Sequence, residues 1–481
     1  MRTSRLSRRA LLRSAMVGSA GLALAACQPK VVEVEKIVER TVEVEKQVEV
    51  EKVVKETVVV EKEVQVQPAS SQVTVRYHCR AGAVQAPASE YPTHQNRLSE
   101  FREEHPEINV VREEIAGTNE EYYVKLATMY VGGTLGDMTF TSQTYSQHLK
   151  LAYDGVLAPC DEFMERDGIS EDEWFPVAMA NSKLDGKLYG LPMCLHPGGH
   201  AFLIYNQTMW EEAGLELPDG QTYTIDQLRE AAIKLSKGEP GSRTVYGWRP
   251  NFAGIQCHEG WMQTFGAESF IDKEGKQSLM NTPEALEWAK YAYAIYNEDK
   301  VAPRPEAVPE AGNRAMLASG NLAAFQSGTW DLKTSIDVVG GEFKVGLQVF
   351  PIGPGGYGAS GYLNSFAPTS VSKHMDEAWL LTYAFCDKRC GYLQIKLAGS
   401  MPGRADVFEA PDLQNDPIAM LALDATERAA EQYYMYNFAA IEHQRALNAA
   451  MDKIILGEVE PTQAYMDSVY ETLQKIIDKP R

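Results

Sequence analysis

No part of this sequence beyond its first residues carries the basic, aromatic-interleaved pattern of a nucleic-acid surface. Its 46 Lys and Arg are outnumbered by 66 Asp and Glu, for a formal charge of −20. That balance excludes nucleic acid and anionic membrane surfaces as partners of the folded part. Catalytic signatures are missing too. There is no G-x-S-x-G and no H-E-x-x-H, so neither a nucleophile elbow nor a zinc-protease helix is present. The glycine-rich run Gly353-Pro354-Gly355-Gly356-Tyr357-Gly358 lacks the lysine and spacing of a phosphate loop and reads as a turn or hinge. A carboxylate pair of the glycosidase kind could be drawn from 66 acids, but that abundance makes any one pair uninformative.

What is present begins with an address. Residues 1–26 hold five arginines and no acid, followed by a weakly apolar run from Ala15 to Ala26. That run is too short and too rich in Gly and Ser to span a bilayer, and reads as a signal peptide. Ser7-Arg8-Arg9-Ala10-Leu11-Leu12-Arg13 resembles a twin-arginine export signal with Leu11 in place of the usual Phe; the general secretory route is the alternative. Leu24-Ala25-Ala26-Cys27 resembles a lipobox, which implies diacylglycerol on Cys27 and cleavage before it. Without residues 1–26 the chain loses five positive charges from its −20, leaving about −25.

Residues 27–71 read as a lipid-anchored tether. Val31 to Gln67 repeats VEVEK three times and contains no Gly, Pro or aromatic residue. Valine mostly alternates with charge, a strand period, although a heptad also fits some spacings. Neither form buries a core, so a spacer or a self-associating segment is expected, with a reach on the order of 100 Å or more when extended. Six cysteines follow Cys27: Cys79, Cys160, Cys194, Cys257, Cys386 and Cys390. An even number outside the cytoplasm permits disulfides of unreadable connectivity; export after folding would make the fold independent of them.

From Val73 onward strands and helices alternate, the mark of an α/β lobe with a largely parallel sheet. Strands are expected at Val73–Tyr77, Ile108–Glu113, Asp137–Thr141 and Ala201–Asn206. Helices are expected at His94–Glu104, Tyr122–Tyr130, Asp376–Cys386, Glu427–Leu456 and Pro461–Ile477. His78, Thr141, Ser142 and Tyr145 stand just past strand ends, where open α/β sheets bind ligands. The stretch Met316–Leu332 is the most informative. A helix ends at Gly320, Leu322 to Gln326 is the length of a buried strand, and Ser327-Gly328 breaks it. Thr329 is placed to cap the next helix, which sets Trp330 at a strand end.

Several short pieces together resemble one family. They are the lipobox, Phe101-x-x-x-His105-Pro106-x-Ile108-x-Val110, Gly132-Gly133-Thr134-x-x-Asp137, DGKLYGLP (185–192), YNQTMWEEAGL (205–215), the SGN…AAFQSGTW stretch (319–330), and Met401-Pro402-Gly403-Arg404. In this order they resemble bacterial extracellular solute-binding proteins of the sugar type, which serve ABC importers. The resemblance implies an α/β, two-lobed periplasmic-binding-protein fold with hinge crossovers and an interlobe ligand cleft. It implies no catalysis and no cofactor. Lobe 1 would comprise 72–200 and 366–415, and lobe 2 would comprise 201–365 and 416–481. The crossovers fall near Met193–Ala201 and Ser360–Phe366. The implied partners are a small-molecule carbohydrate, ABC permease transmembrane subunits and the membrane through lipidated Cys27, with the protein a monomer at the extracytoplasmic face.

The expected ligand-binding residues are Trp330, Trp248, Asn251, Trp261, Ser142, Gln143, Tyr362, Asn364, Arg404 and Tyr436, with Tyr434 nearby. Stacked rings with planar polar groups suit sugars, and Arg404 is the one well-placed cation, so the ligand is expected to be neutral. Trp174, Trp288 and Trp379 sit in helical patterns and are assigned to the core. Cys194-x-His196-Pro-Gly-Gly-His200 has metal-ligand residue types, but no fourth ligand is evident and no metal is expected. Two other classes compete: a lipid-anchored glycan hydrolase or lyase, and a lipid-anchored structural protein. Polyols, glycerol phosphates and peptides compete with sugars as ligands. Replacing the anchor residue, Cys27→Ser, should move the protein from the membrane to the soluble fraction on ultracentrifugation with ligand affinity unchanged; continued sedimentation with membranes would refute the lipobox.

Overall fold

The apolar–polar alternation of Val73-Thr74-Val75-Arg76-Tyr77 does build a strand, β1 (Val73–Arg80), which pairs in parallel with β2 (Ile108–Ile115) and β3 (Met138–Ser142). In this computed structural model the described residues are 72–481, apart from 81–90, 143–146, 199, 253, 310, 431–432, 435–436 and 480–481. The leader, Cys27, the tether, Gln143, Tyr145 and Tyr436 lie outside them. Helices Tyr91–Glu104 and Asn119–Val131 connect these strands. The second starts at a capping box, in which Thr118 and Glu121 satisfy each other's backbone N–H groups. Asp185-Gly186, both at positive φ, turn a short hairpin of β4 (Lys183–Leu184) and β5 (Lys187–Leu188). β6 (Leu191–His196) follows and completes one edge of the first sheet.

The chain then changes sheets between His196 and Phe202. β7 (Phe202–Asn206) is the centre of a second, antiparallel sheet, flanked by β8 (Ala324–Ser327) and β9 (Val345–Val349). It returns between Val349 and Tyr362. β10 (Tyr362–Pro368) inserts antiparallel between β3 and β6, giving the order β2-β1-β3-β10-β6. GYLNSF was expected to be the second crossover; Tyr362 to Phe366 already belong to the first sheet, and the passage is the preceding segment.

The expected helix Glu427–Leu456 is helical only over Ala440–Ile455; the helix before it, Pro417–Glu427, ends where the expected one was to begin. The interruption has a cause. Ala430 accepts from the Gly361 N–H and donates to the Ala359 carbonyl, so its backbone pairs with the returning crossover instead of a helical turn. Helices Ala440–Ile455 and Gln463–Ile477 then pack on the second lobe through Leu447, Met451, Met466 and Leu473. Three apolar clusters result: one in each lobe, and a third spanning the junction, where Leu195 and Leu363 meet Phe202, Phe325 and Leu332. Trp174, Trp288 and Trp379 are fully buried, as expected. All six described cysteines are buried, and none is in a disulfide.

One buried carboxyl stands at the junction. Glu259, on the helix Ile255–Thr264, accepts from the Ser269 hydroxyl at 2.8 Å and the Tyr433 N–H at 3.2 Å, and faces Ser360 of the crossover. Burial raises its pKa to about 7, partly offset by these donors. The folded state therefore holds its proton more tightly than the unfolded chain. Stability contributed by the neutral acid is present below the unfolded value near 4.5 and falls as pH rises to about 7. Glu259→Gln, which keeps the acceptor and removes the ionisation, should match the native melting temperature near pH 4.5. It should melt increasingly above the native protein up to pH 7.5, where it should be the more stable by about 3 kcal/mol. Parallel melting curves across that range would refute the assignment.

Candidate functional site

The junction positions a ring cluster. β6 ends in His196, and its β10 partner in register is Tyr362. Their rings are 5.0 Å apart, and the Trp330 indole stands edge-on to both, at 5.4 Å from His196 and 6.2 Å from Tyr362. Trp330 lies in a 3-10 turn, Thr329–Asp331, between β8 and the helix Leu332–Val339. Gly328 is required there by contact: a Cβ would come within 2.3 Å of the indole. Thr329 does not cap the next helix as expected. Its hydroxyl is 2.8 Å from His196 Nδ1, which gives the buried ring the hydrogen-bond partner it needs.

His196 is neutral, its pKa pulled down to about 3 by burial. The Asn364 amide and the Cys194 thiol both face Nε2, at 3.5 and 3.0 Å. Nε2 therefore accepts, and the Nδ1–H donates to Thr329. His200 points elsewhere, to the Gly358 carbonyl. Among the described residues no group of three or more His, Cys, Asp or Glu could hold a metal ion.

A cavity of about 440 Å³ opens beside Trp330, lined by Arg249, Asn251, Phe252, Asn313, Gln326, Asp331 and Asn448 among others. Gln326 fixes its floor. The side-chain nitrogen donates to the His200 carbonyl at 3.0 Å, and its oxygen accepts from the Asn251 N–H at 2.8 Å. A single buried amide thus ties the first crossover to the loop that carries Asn251.

The residues expected at the site divide. Trp330 and Asn251 line the cavity, and Tyr362 and Asn364 stand behind Trp330 around His196. Trp248 and Trp261 do not reach it. Both are fully buried in the second-lobe core, 6.2 Å apart and in contact with Phe350. Tyr434 is likewise buried, stacked on Phe270. Ser142 is buried at the end of β3, its N–H bonded to the Tyr123 hydroxyl. His78 and Thr141 are bonded within the first lobe, to the Gly136 N–H and to His148. Gln143 and Tyr436 lie outside the described residues.

Arg404 is a structural cation. It is 4% exposed, grips Asp406 through Nε and Nη2 at 2.9 and 2.7 Å, pairs with Glu173 at 2.6 Å and lies 4.4 Å over the Trp174 ring. Sequence reasoning missed Arg249 and Gln326. Pro250 was the available signal for the first, since it holds the preceding residue extended. For the second it was a polar side chain ending an apolar strand.

Two α/β lobes joined by paired crossovers, with a ring cluster at the junction and beside it a cavity lined by second-lobe residues, are the architecture of the solute-binding class of protein. The chain belongs to the bacterial extracellular solute-binding protein family, whose sequence model matches residues 81–385. Its fold is similar to that of a solute-binding protein of an ABC transporter from Thermotoga lettingae bound to α-D-tagatose. That protein is 21% identical with a TM-score of 0.70, over 84% of this chain and 100% of that one. It is also similar to the GacH receptor of Streptomyces glaucescens, solved with acarbose, at 17% identity and TM-score 0.71 over 85% and 100%. UgpB from Mycobacterium tuberculosis, in complex with glycerophosphocholine, matches at 16% and 0.70 over 84% and 98%. No curated protein sequence matches. Among the described residues no helix is long and apolar enough to cross a membrane.

If Arg404 serves the fold, Arg404→Ala should lower stability by roughly 3 kcal/mol, the low end for breaking a buried ion pair, and leave ligand affinity unchanged. Denaturant unfolding with calorimetric titration separates the two; lost affinity at unchanged stability would return Arg404 to the site.

Proposed function

We propose that this protein captures a sugar or oligosaccharide at the lobe junction and delivers it to the permease of an ABC importer, without catalysis. The observation that carries this is the half-buried indole of Trp330, which lines a cavity together with the amides of Asn251, Asn313, Gln326 and Asn448. A flat apolar face beside planar donors and acceptors matches the two surfaces of a pyranose, its CH face and its rim of hydroxyls. The tagatose and acarbose complexes of similar fold support the same ligand class. Attachment through acylated Cys27, at the extracytoplasmic face, completes the proposal: the tether would give the binding unit reach while holding it near its transporter.

Trp330→Ala should weaken binding of the cognate sugar by about 1–3 kcal/mol, the worth of burying a large apolar side chain, with little change in melting temperature. A thermal-shift screen across mono- and oligosaccharides identifies that sugar, since a ligand of the folded state alone raises the melting point. An indole that proves indispensable for folding but not for binding would overturn the role given to it.

A further inference from the structure

Arg404 was the cation expected at the site, and it is committed to Glu173 and Asp406. A different guanidinium occupies the cavity. Arg249 lies on an extended segment that runs parallel to β8, its N–H bonded to the Ala324 carbonyl and its own carbonyl to the Gln326 N–H, both at 3.0 Å. Its side chain therefore starts beside the strand that leads to Trp330. Nη1 donates to the Asn313 amide oxygen. The guanidinium has five N–H donors, and this bond uses one.

Acids outnumber basic residues 66 to 46, and several of the guanidinium groups find them. Arg97 holds Glu104 and Asp387, Arg229 holds Asp299, and Arg404 holds its own pair. Arg249 is half-buried, and among the described residues no carboxylate pairs with it. The half-buried Arg80, Arg243 and Arg304 also have no carboxylate partner among the described residues, but none of them lines the cavity beside Trp330. Burial lowers its pKa, while partners raise those of Arg97, Arg229 and Arg404. The acids lining the same cavity do not answer it. Asp331 is engaged by Arg314 at 3.2 Å and by the Ser327 hydroxyl. Asp452 is solvent-exposed, and no salt bridge joins it to Arg249. The remaining N–H groups of Arg249 are not among the buried unpaired atoms, so they reach solvent in the cavity and are open to a ligand.

We infer that the ligand carries an anionic group, a carboxylate or a phosphate, which Arg249 binds through its free N–H fork while the rest of the ligand lies on Trp330. Planar, two-pronged recognition of such groups is what guanidinium geometry favours. The inference rests on the carbohydrate reading of the cavity and sharpens it: a uronate or a sugar phosphate satisfies both residues. It departs from the neutral ligand expected when Arg404 was the only cation in view.

The test is a calorimetric titration of the purified full-length protein with matched probes. These are galactose against galacturonate, neutral disaccharides against digalacturonate, glucose against glucose 1-phosphate, and glycerol 3-phosphate and inorganic phosphate alone. The acidic member of at least one pair should bind about tenfold or more tightly than its neutral partner, and its affinity should fall as NaCl is raised. Uronate binding identifies the carboxylate, glucose 1-phosphate binding the phosphate. Arg249→Gln should abolish the preference, Arg249→Lys should retain part of it, and Trp330→Ala should weaken both members of a pair. Neutral sugars that bind as well as their acids, or acids whose binding Arg249→Gln leaves unchanged, would overturn the inference and leave the carbohydrate reading intact. Glycerol 3-phosphate or inorganic phosphate binding through Arg249, with no sugar binding, would sustain the inference and overturn that reading. Binding of none of these probes overturns both. Should Arg249→Gln fail to fold, the matched pairs and the salt dependence of the native protein decide alone.

Discussion

The seat of β10 between β3 and β6 constrains the whole molecule. The strand that completes the first sheet comes after all three strands of the second sheet in sequence, so neither lobe is complete until the chain has passed across and back. The strands on either side of the passages, β6 before the outgoing one and β10 after the returning one, therefore lie against each other, with Leu195 opposite Leu363 and His196 opposite Tyr362 in one ladder. An apolar cluster then runs through the junction, from Phe175 and Met401 on one side to Phe202, Phe325 and Leu332 on the other. Packed interiors resist continuous deformation, so relative movement of the lobes has to concentrate in the short passages themselves.

The candidate site is a by-product of this closure. His196 and Tyr362 are brought side by side by strand pairing, and the turn after β8 sets Trp330 against them. Around that contact polar groups are mostly spoken for: Thr329 by His196, Gln326 by His200 and Asn251, Asp331 by Arg314 and Ser327. What is left for a solute is what these pairings do not use: an aromatic face, a guanidinium and the remaining hydrogen-bonding capacity of the lining amides.

Much of the architecture was legible because it depends on local pattern. Alternation marked β1 and β2, and Gly320 at positive φ ended its helix. Errors came where a distant partner decided the outcome. Arg404 looks like a free cation until Glu173 arrives from far upstream to pair with it. Thr329 resembles a helix cap until a histidine 133 residues away claims its hydroxyl. A continuous helical pattern across Glu427–Leu456 gives no hint that Ala430 will pair with the crossover. Trp248 and Trp261 could not be separated from Trp330 by composition, since an indole suits a core as well as a cleft. Only the third dimension shows which of them keeps a face toward a cavity.

The thiols lead somewhere else. All six described cysteines are buried, and burial pushes Cys79 and Cys160 up to about 12 and Cys386 and Cys390 higher still. Thiolate is the form that alkylating reagents attack, so the folded protein offers them almost nothing. One new cysteine on the outer face of each lobe, in a chain that begins beyond Cys27, becomes a pair of unique attachment points for fluorophores. The distance between the lobes can then be followed by energy transfer without first stripping the protein of its native sulfur.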